Sequence, residues 1–147
     1  MPFFDPKEYD EKNIKKLRAD MFLPDWLNYF GIICDIIAAV FLIVPFITKE
    51  WVLLFVPALI APLGIAAFLC WKNQTVKIID SNHFEYTTFL GKKTLYRFSD
   101  IKKLRLNSDS MTLFVGDGKV HIEFIAFISN EFMEKIYDNL PENNDEE

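Results

Sequence analysis

Sulfur and imidazole chemistry have little to work with in this sequence. Its 147 residues hold two cysteines, Cys34 and Cys70, and two histidines, His83 and His121. Both cysteines lie inside apolar runs, with no Cys-x-x-Cys pair and no Cys/His spacing. That argues against a disulfide framework and a zinc site. It leaves each as a small apolar residue in a packed helix. Nucleophilic catalysis needs a Ser or Cys beside a base that a third group orients. His121 falls on the polar side of an alternating segment and His83 falls next to a turn, so both read as surface residues. The motifs G-x-x-x-x-G-K-[ST], G-x-G-x-x-G and H-E-x-x-H are missing. Gly116-Asp117-Gly118-Lys119 reads as a hairpin turn, because a strand pattern rather than a helix follows it. The reading is therefore of a protein that is not an enzyme and needs no cofactor or metal.

Apolar residues are abundant: 51% of the chain is hydrophobic and 16% aromatic, with fifteen phenylalanines. The excess is local. Trp26 to Ile47 and Trp51 to Trp71 are two apolar runs, each a little over twenty residues, separated by Thr48-Lys49-Glu50. About twenty helical residues cross the roughly 30 Å hydrocarbon layer of a bilayer. The linker is too short for anything except a tight helical hairpin. Trp26, Trp51 and Trp71 stand where interfacial aromatic belts form. Both runs are too long for a signal peptide. Residues 25–71 are thus expected to form a transmembrane hairpin in the cell membrane.

Basic residues set its orientation. Lys7, Lys12, Lys15, Lys16 and Arg18 precede the first run, and Lys72, Lys77, Lys92 and Lys93 follow the second. The linker has only Lys49. Lysine and arginine are retained on the cytoplasmic side, so both termini are expected there. Within residues 1–24, Ile14, Leu17 and Met21 share a helical face with lysines around it. This predicts an amphipathic helix that lies on the membrane or packs on the cytoplasmic domain.

From Thr75 the hydrophobic period changes to two. Six strands are read, in TVKIID, HFEYTTFL, KTLYRFS, KKLRLN, MTLFVGD and KVHIEFI. Leu104 and Leu106 oppose Lys103 and Arg105; Val120, Ile122 and Phe124 oppose His121 and Glu123. One wet and one dry face is the mark of an antiparallel sheet. The segment SNEFMEKIYDNL then reads as a helix. Ser129 is its N-cap, Glu131 lies in its first turn, and Phe132, Met133, Ile136, Tyr137 and Leu140 form its apolar face. Residues 142–147 form an acidic tail.

The residues FEYTTFLGKKTLYRFSDIKKL, MTLFVGDGKVHIEF and the closing helix resemble the bacterial pleckstrin-homology-like domains of small two-span membrane proteins. The resemblance spans roughly residues 72–140. It implies a strongly bent antiparallel sheet whose open end the C-terminal helix covers. Six strands are one short of the full barrel, so a strand is missed, lost or supplied from elsewhere. The expected fold class is α+β: a two-helix transmembrane hairpin, then a small antiparallel domain over residues 72–141 with a capping helix.

Two features point to function. Lys92, Lys93, Arg97, Lys102, Lys103 and Arg105 cluster in sequence. Each such cation near an anionic membrane surface is worth about 1 kcal/mol, so the cluster is a candidate contact for lipid or a partner. Nucleic acid is not expected, because the positive balance is mild and the tail is acidic. The second feature is Asp35, roughly 13 Å along the first span from Trp26. A charge at bilayer centre costs about 3 kcal/mol or more. Gly31, Asp35 and Ala39 are spaced by four, which suggests a face for close helix approach toward Ala58, Ala61 and Gly64. Pro62 leaves the Ala58 carbonyl without its helical donor, and a protonated Asp35 would bond there. The expected function is a membrane-anchored scaffold that binds a protein partner or the lipid bilayer. The alternative is a self-associating channel or transporter subunit built around Asp35.

Orientation is directly testable after Cys34 and Cys70 are replaced. A cysteine at Lys49 should react with an impermeant thiol reagent outside intact cells, and one at Asp117 only after lysis. The reverse pattern contradicts cytoplasmic termini.

Overall fold

The computed structural model describes residues 19–141, and the chain divides into two compact units. The helix expected over residues 1–24 lies outside the described residues as far as residue 18. Its last turn was misread: Met21–Phe22 is a strand, β1.

One unit is the helical hairpin. Helix α1, Asp25–Thr48, begins with an acidic residue in its first turn, which suits the helix dipole. It ends at Lys49, which takes a left-handed conformation (φ 60) and donates its N–H to the Pro45 carbonyl at 2.8 Å. A 3-10 turn, Trp51–Leu54, leads into helix α2, Phe55–Asn73. Both helical segments are long and apolar enough to cross a membrane, and only 22% and 17% of their most apolar windows is buried. Core helices of a soluble protein would be mostly covered. Here Ile33, Ile36, Ile43, Phe46, Leu59 and Leu63 are among the apolar side chains left exposed.

The other unit holds two sheets and a helix. Strands β2 (Thr75–Ile78), β3 (His83–Thr87), β4 (Lys93–Arg97), β5 (Ile101–Leu106), β6 (Ser110–Val115), β7 (Gly118–Glu123) and β8 (Phe127–Ile128) follow α2. Helix α3 is Asn130–Asp138. One sheet has the order β4-β3-β2-β1-β8 and the other β5-β6-β7. All six strands expected from the alternation are present. β1 and β8 were not foreseen, since two residues carry no readable period.

β1 lies inside its sheet, antiparallel to both neighbours. Met21 pairs with Val76 and Ile128, and Phe22 with Thr75 and Phe127. Asp20 fixes it in place. Its Oδ2 accepts from the Ile78 N–H at 2.7 Å, its carbonyl accepts from the Ser129 N–H at 2.7 Å, and its N–H donates to the Val76 carbonyl. The β unit thus takes its strands from both sides of the hairpin, and a boundary at residue 72 omits an interior strand.

The core forms between the sheets and α3. Phe84, Phe98 and Phe132 are buried, with ring centroids 4.8 to 6.1 Å apart. Ser129 caps α3 as expected, accepting from the Phe132 N–H at 3.2 Å. Phe132 and Ile136 are the buried residues of the helix, whereas Tyr137 is exposed. Burying one such side chain contributes about 1.5–3 kcal/mol. Gly118 lies under the Tyr96 ring; a Cβ there would come within 2.9 Å of the ring's Cε1.

A soluble fragment of residues 72–141 should therefore show no cooperative thermal transition by circular dichroism. A chain joining residues 19–23 through a short linker to residues 74–141 should show one. Equal melting of both fragments contradicts an essential β1.

Candidate functional site

The second sheet separates its faces along most of its length. Leu113, Val115, Val120 and Ile122 are buried on the inner face. The opposite face follows from the register. Lys103, Phe114 and Lys119 form one row, and Arg105, Thr112 and His121 form the next. Lys119 Nζ lies 5.3 Å above the Phe114 ring. Thr112 Oγ1 is 3.2 Å from His121 Nδ1, and His121 Nε2 is 3.2 Å from Glu123 Oε1. Thr112, His121 and Glu123 thus line up in the order of a nucleophile, a base and an acid. His121 is exposed and Thr112 and Glu123 are half-buried among the described residues. The row reads as a hydrogen-bonded sheet surface.

The six basic residues that cluster in sequence are all exposed, but the fold does not gather them. Lys92 belongs to the loop Thr87–Lys92, which is part of the hairpin unit. Lys93 and Arg97 lie on β4, the edge of the larger sheet, where Lys93 pairs with Glu85 at 3.0 Å. Cations on an edge strand also discourage pairing with another chain. Lys102 is the extra residue where the β5–β6 register shifts, and its Nζ is 3.9 Å from Asp117. Lys103 and Arg105 remain on the open face. Sequence reasoning missed Lys119 and His121, which join them across β6 from β7. Their alternation with Val120 and Ile122 was the available signal.

His83 is structural. Its Nδ1 is 2.9 Å from Asp80 Oδ1 in the β2–β3 turn. The Asn82 N–H, followed by the His83 side chain, holds the Asp80 carboxyl below the usual carboxylate range. Among the described residues, no three His, Cys, Asp or Glu side chains are grouped to hold a metal ion.

Asp35 faces the other helix of its own hairpin, half-buried. The contact differs from the expected one. An ideal Cβ on Gly64 would stand 2.9 Å from Asp35 Cγ and 2.9 Å from the Gly31 carbonyl oxygen. Gly31, Cys34 and Ala38 are the buried small residues of α1, with Pro57, Gly64 and Ala67 on α2. Ala39 and Ala58 are exposed, so the Ala58 carbonyl is not placed against Asp35. The spacing of four gave the right helix sector and missed its centre by about one residue, because two helices meet along a narrow seam. At the base of the hairpin, Trp71 Nε1 donates to Asp25 Oδ1 at 2.9 Å.

No protein family, curated protein or solved structure matches this chain. Its element order, two apolar helices followed by antiparallel sheets and a helix, is consistent with the pleckstrin-homology-like plan.

Gly64→Ala should loosen the hairpin by on the order of 1–3 kcal/mol, the usual cost of overpacking. Asp35→Ala in the same chain should recover only part of this, since the Gly31 carbonyl remains in the way. Thermal unfolding in detergent reads both, and undiminished stability of Gly64→Ala contradicts the close approach.

Proposed function

We propose that the chain is a non-enzymatic interaction module held in the cell membrane by its helical hairpin, with both termini cytoplasmic. Its β unit is a pleckstrin-homology-like domain that binds a protein partner or the lipid bilayer. One observation carries the reading: the hairpin leaves most of its apolar surface uncovered, while the sheet unit buries a core of its own around Phe84, Phe98 and Phe132. A large uncovered apolar surface belongs against lipid or another protein. The pairing of Phe22 with Thr75 supports a common side for the segments before and after the hairpin. Pull-down of the intact chain from mild detergent tests it by separating a hetero-complex from a homo-oligomer. The exposed polar side chains of the β5–β6–β7 outer face support binding over catalysis.

A second reading, ion or proton passage through self-associated hairpins, rests on Asp35 as an acidic side chain inside the first apolar helix. Its position against Gly64 supports a packing role within one hairpin. A packing role survives Asp35→Asn, since Asn has the same shape and interhelical hydrogen bonds are worth about 0.6 kcal/mol. Proton or cation passage needs a carboxyl that ionises, which Asn does not supply. Reconstituted vesicles with a pH-sensitive dye should show the same background flux for wild type and Asp35→Asn. Wild-type flux that the substitution abolishes overturns the interaction-module reading.

A further inference from the structure

We infer that the outer face of the β5–β6–β7 sheet docks on the anionic headgroups of a lipid bilayer; this rests on the membrane-anchored reading above. The charge distribution is the first argument. The whole chain has a formal net charge of −5. The outer rows nevertheless carry Lys103, Arg105 and Lys119 against one carboxylate, Glu123, or three minus one with His121 neutral. Glu123 is engaged with His121 Nε2 at 3.2 Å. Lys102, at the bulge, is partly offset by Asp117 at 3.9 Å. This face is thus net positive on a chain that is acidic as a whole.

Shape and composition select the occupant. Strands lie about 4.8 Å apart, so three strands spread their cations over a broad surface rather than converging them on one phosphate. One end of this sheet is also apolar. Past the end of β7, Phe124 is 39% exposed and Ile125 48%, and Phe114 lies on the cationic face itself between Lys103 and Lys119, whereas the exposed Leu106 belongs to the inner row with Met111 and Ile122. Phe124 was expected to point inward with Val120 and Ile122, but β7 ends at Glu123 and releases it. Its N–H donates to the Asp109 carbonyl at 3.0 Å, which places it beside the β5–β6 turn. The Asp109 carboxylate at that turn accepts from the Ser110 hydroxyl and opposes the cations. Cations bordered by exposed apolar side chains match a bilayer interface, with phosphate above and acyl chain below. A purely ionic polymer would leave the apolar end unused. A hairpin anchor makes docking intramolecular, so weak individual contacts are sufficient.

The test uses the full chain with Cys34 and Cys70 replaced by Ala and a single Thr112→Cys on the face. Its alkylation by a bulky uncharged maleimide is timed in nanodiscs of zwitterionic lipid and of lipid rich in phosphatidylglycerol. About 1 kcal/mol per cation corresponds to about fivefold each. Alkylation should therefore slow by on the order of tenfold or more in the anionic discs. Lys103→Glu with Lys119→Glu should remove the protection, and Lys103→Arg with Lys119→Arg should keep it. Circular dichroism confirms that the variants remain folded. Equal rates in the two lipids, or protection that survives charge reversal, overturn the inference. Protection found only in native membranes and lost on charge reversal also overturns it, while leaving the interaction-module reading intact. Release of the chain from membranes by alkaline carbonate overturns both.

Discussion

Much of the β unit depends on a two-residue strand that precedes the first long helix. β1 sits between β2 and β8 and would, if removed, leave two sheet edges unpaired in the middle of the fold. Met21 and Val76 are fully buried there. Asp20 adds the polar part, since its carboxylate and backbone serve Ile78, Val76 and Ser129 together. A buried N–H that loses its acceptor costs about 1–3 kcal/mol, so replacing Asp20 would disturb β2 and the start of α3 at once. One residue thereby ties the segment before the hairpin to the strand after it and to the closing helix.

This arrangement has an entropic logic. Pairing Phe22 with Thr75 closes a loop of residues 23–74. For a flexible chain, the length-dependent part of that closure costs on the order of 3–4 kcal/mol. Two antiparallel helices joined by a short turn bring their own ends together, and the Asp25–Trp71 hydrogen bond joins those ends independently. The close approach of Gly31 and Gly64 contributes to the same end, because small residues let two helix backbones come near. Folding of the hairpin therefore lowers the cost of completing the sheet.

Much of this was legible in the sequence where a period ran long enough to be read. The two apolar runs, the six alternating strands and the Ser129 cap were found with small boundary shifts, because each repeats or follows a local chemical rule. β1 was not found: its apolar residues continued a helical spacing from Ile14 and Leu17, and its sheet partners are distant in sequence. The missing strand of the expected barrel plan was the one hint that something came from elsewhere. The basic cluster illustrates the opposite error. Nearness in sequence suggested one patch, whereas edge strands of two sheets and a hairpin loop divide it. Lys119 and His121 enter only through the β6–β7 register. Asp35 was placed on the correct side of its helix, but its neighbour is set by the seam at Gly64.

The most direct measurement is a cross-link between the two segments that flank the hairpin. Opposed residues in an antiparallel pair have Cα atoms about 4.5–5.5 Å apart, within the range that a disulfide spans. In a full chain lacking Cys34 and Cys70, Phe22→Cys and Thr75→Cys should form a disulfide in native membranes under mild oxidation. Phe22→Cys with Lys103→Cys, on the other sheet, should not. Failure of the first pair to cross-link in a folded, membrane-inserted chain would contradict the central claim that the β unit is completed from both sides of the hairpin.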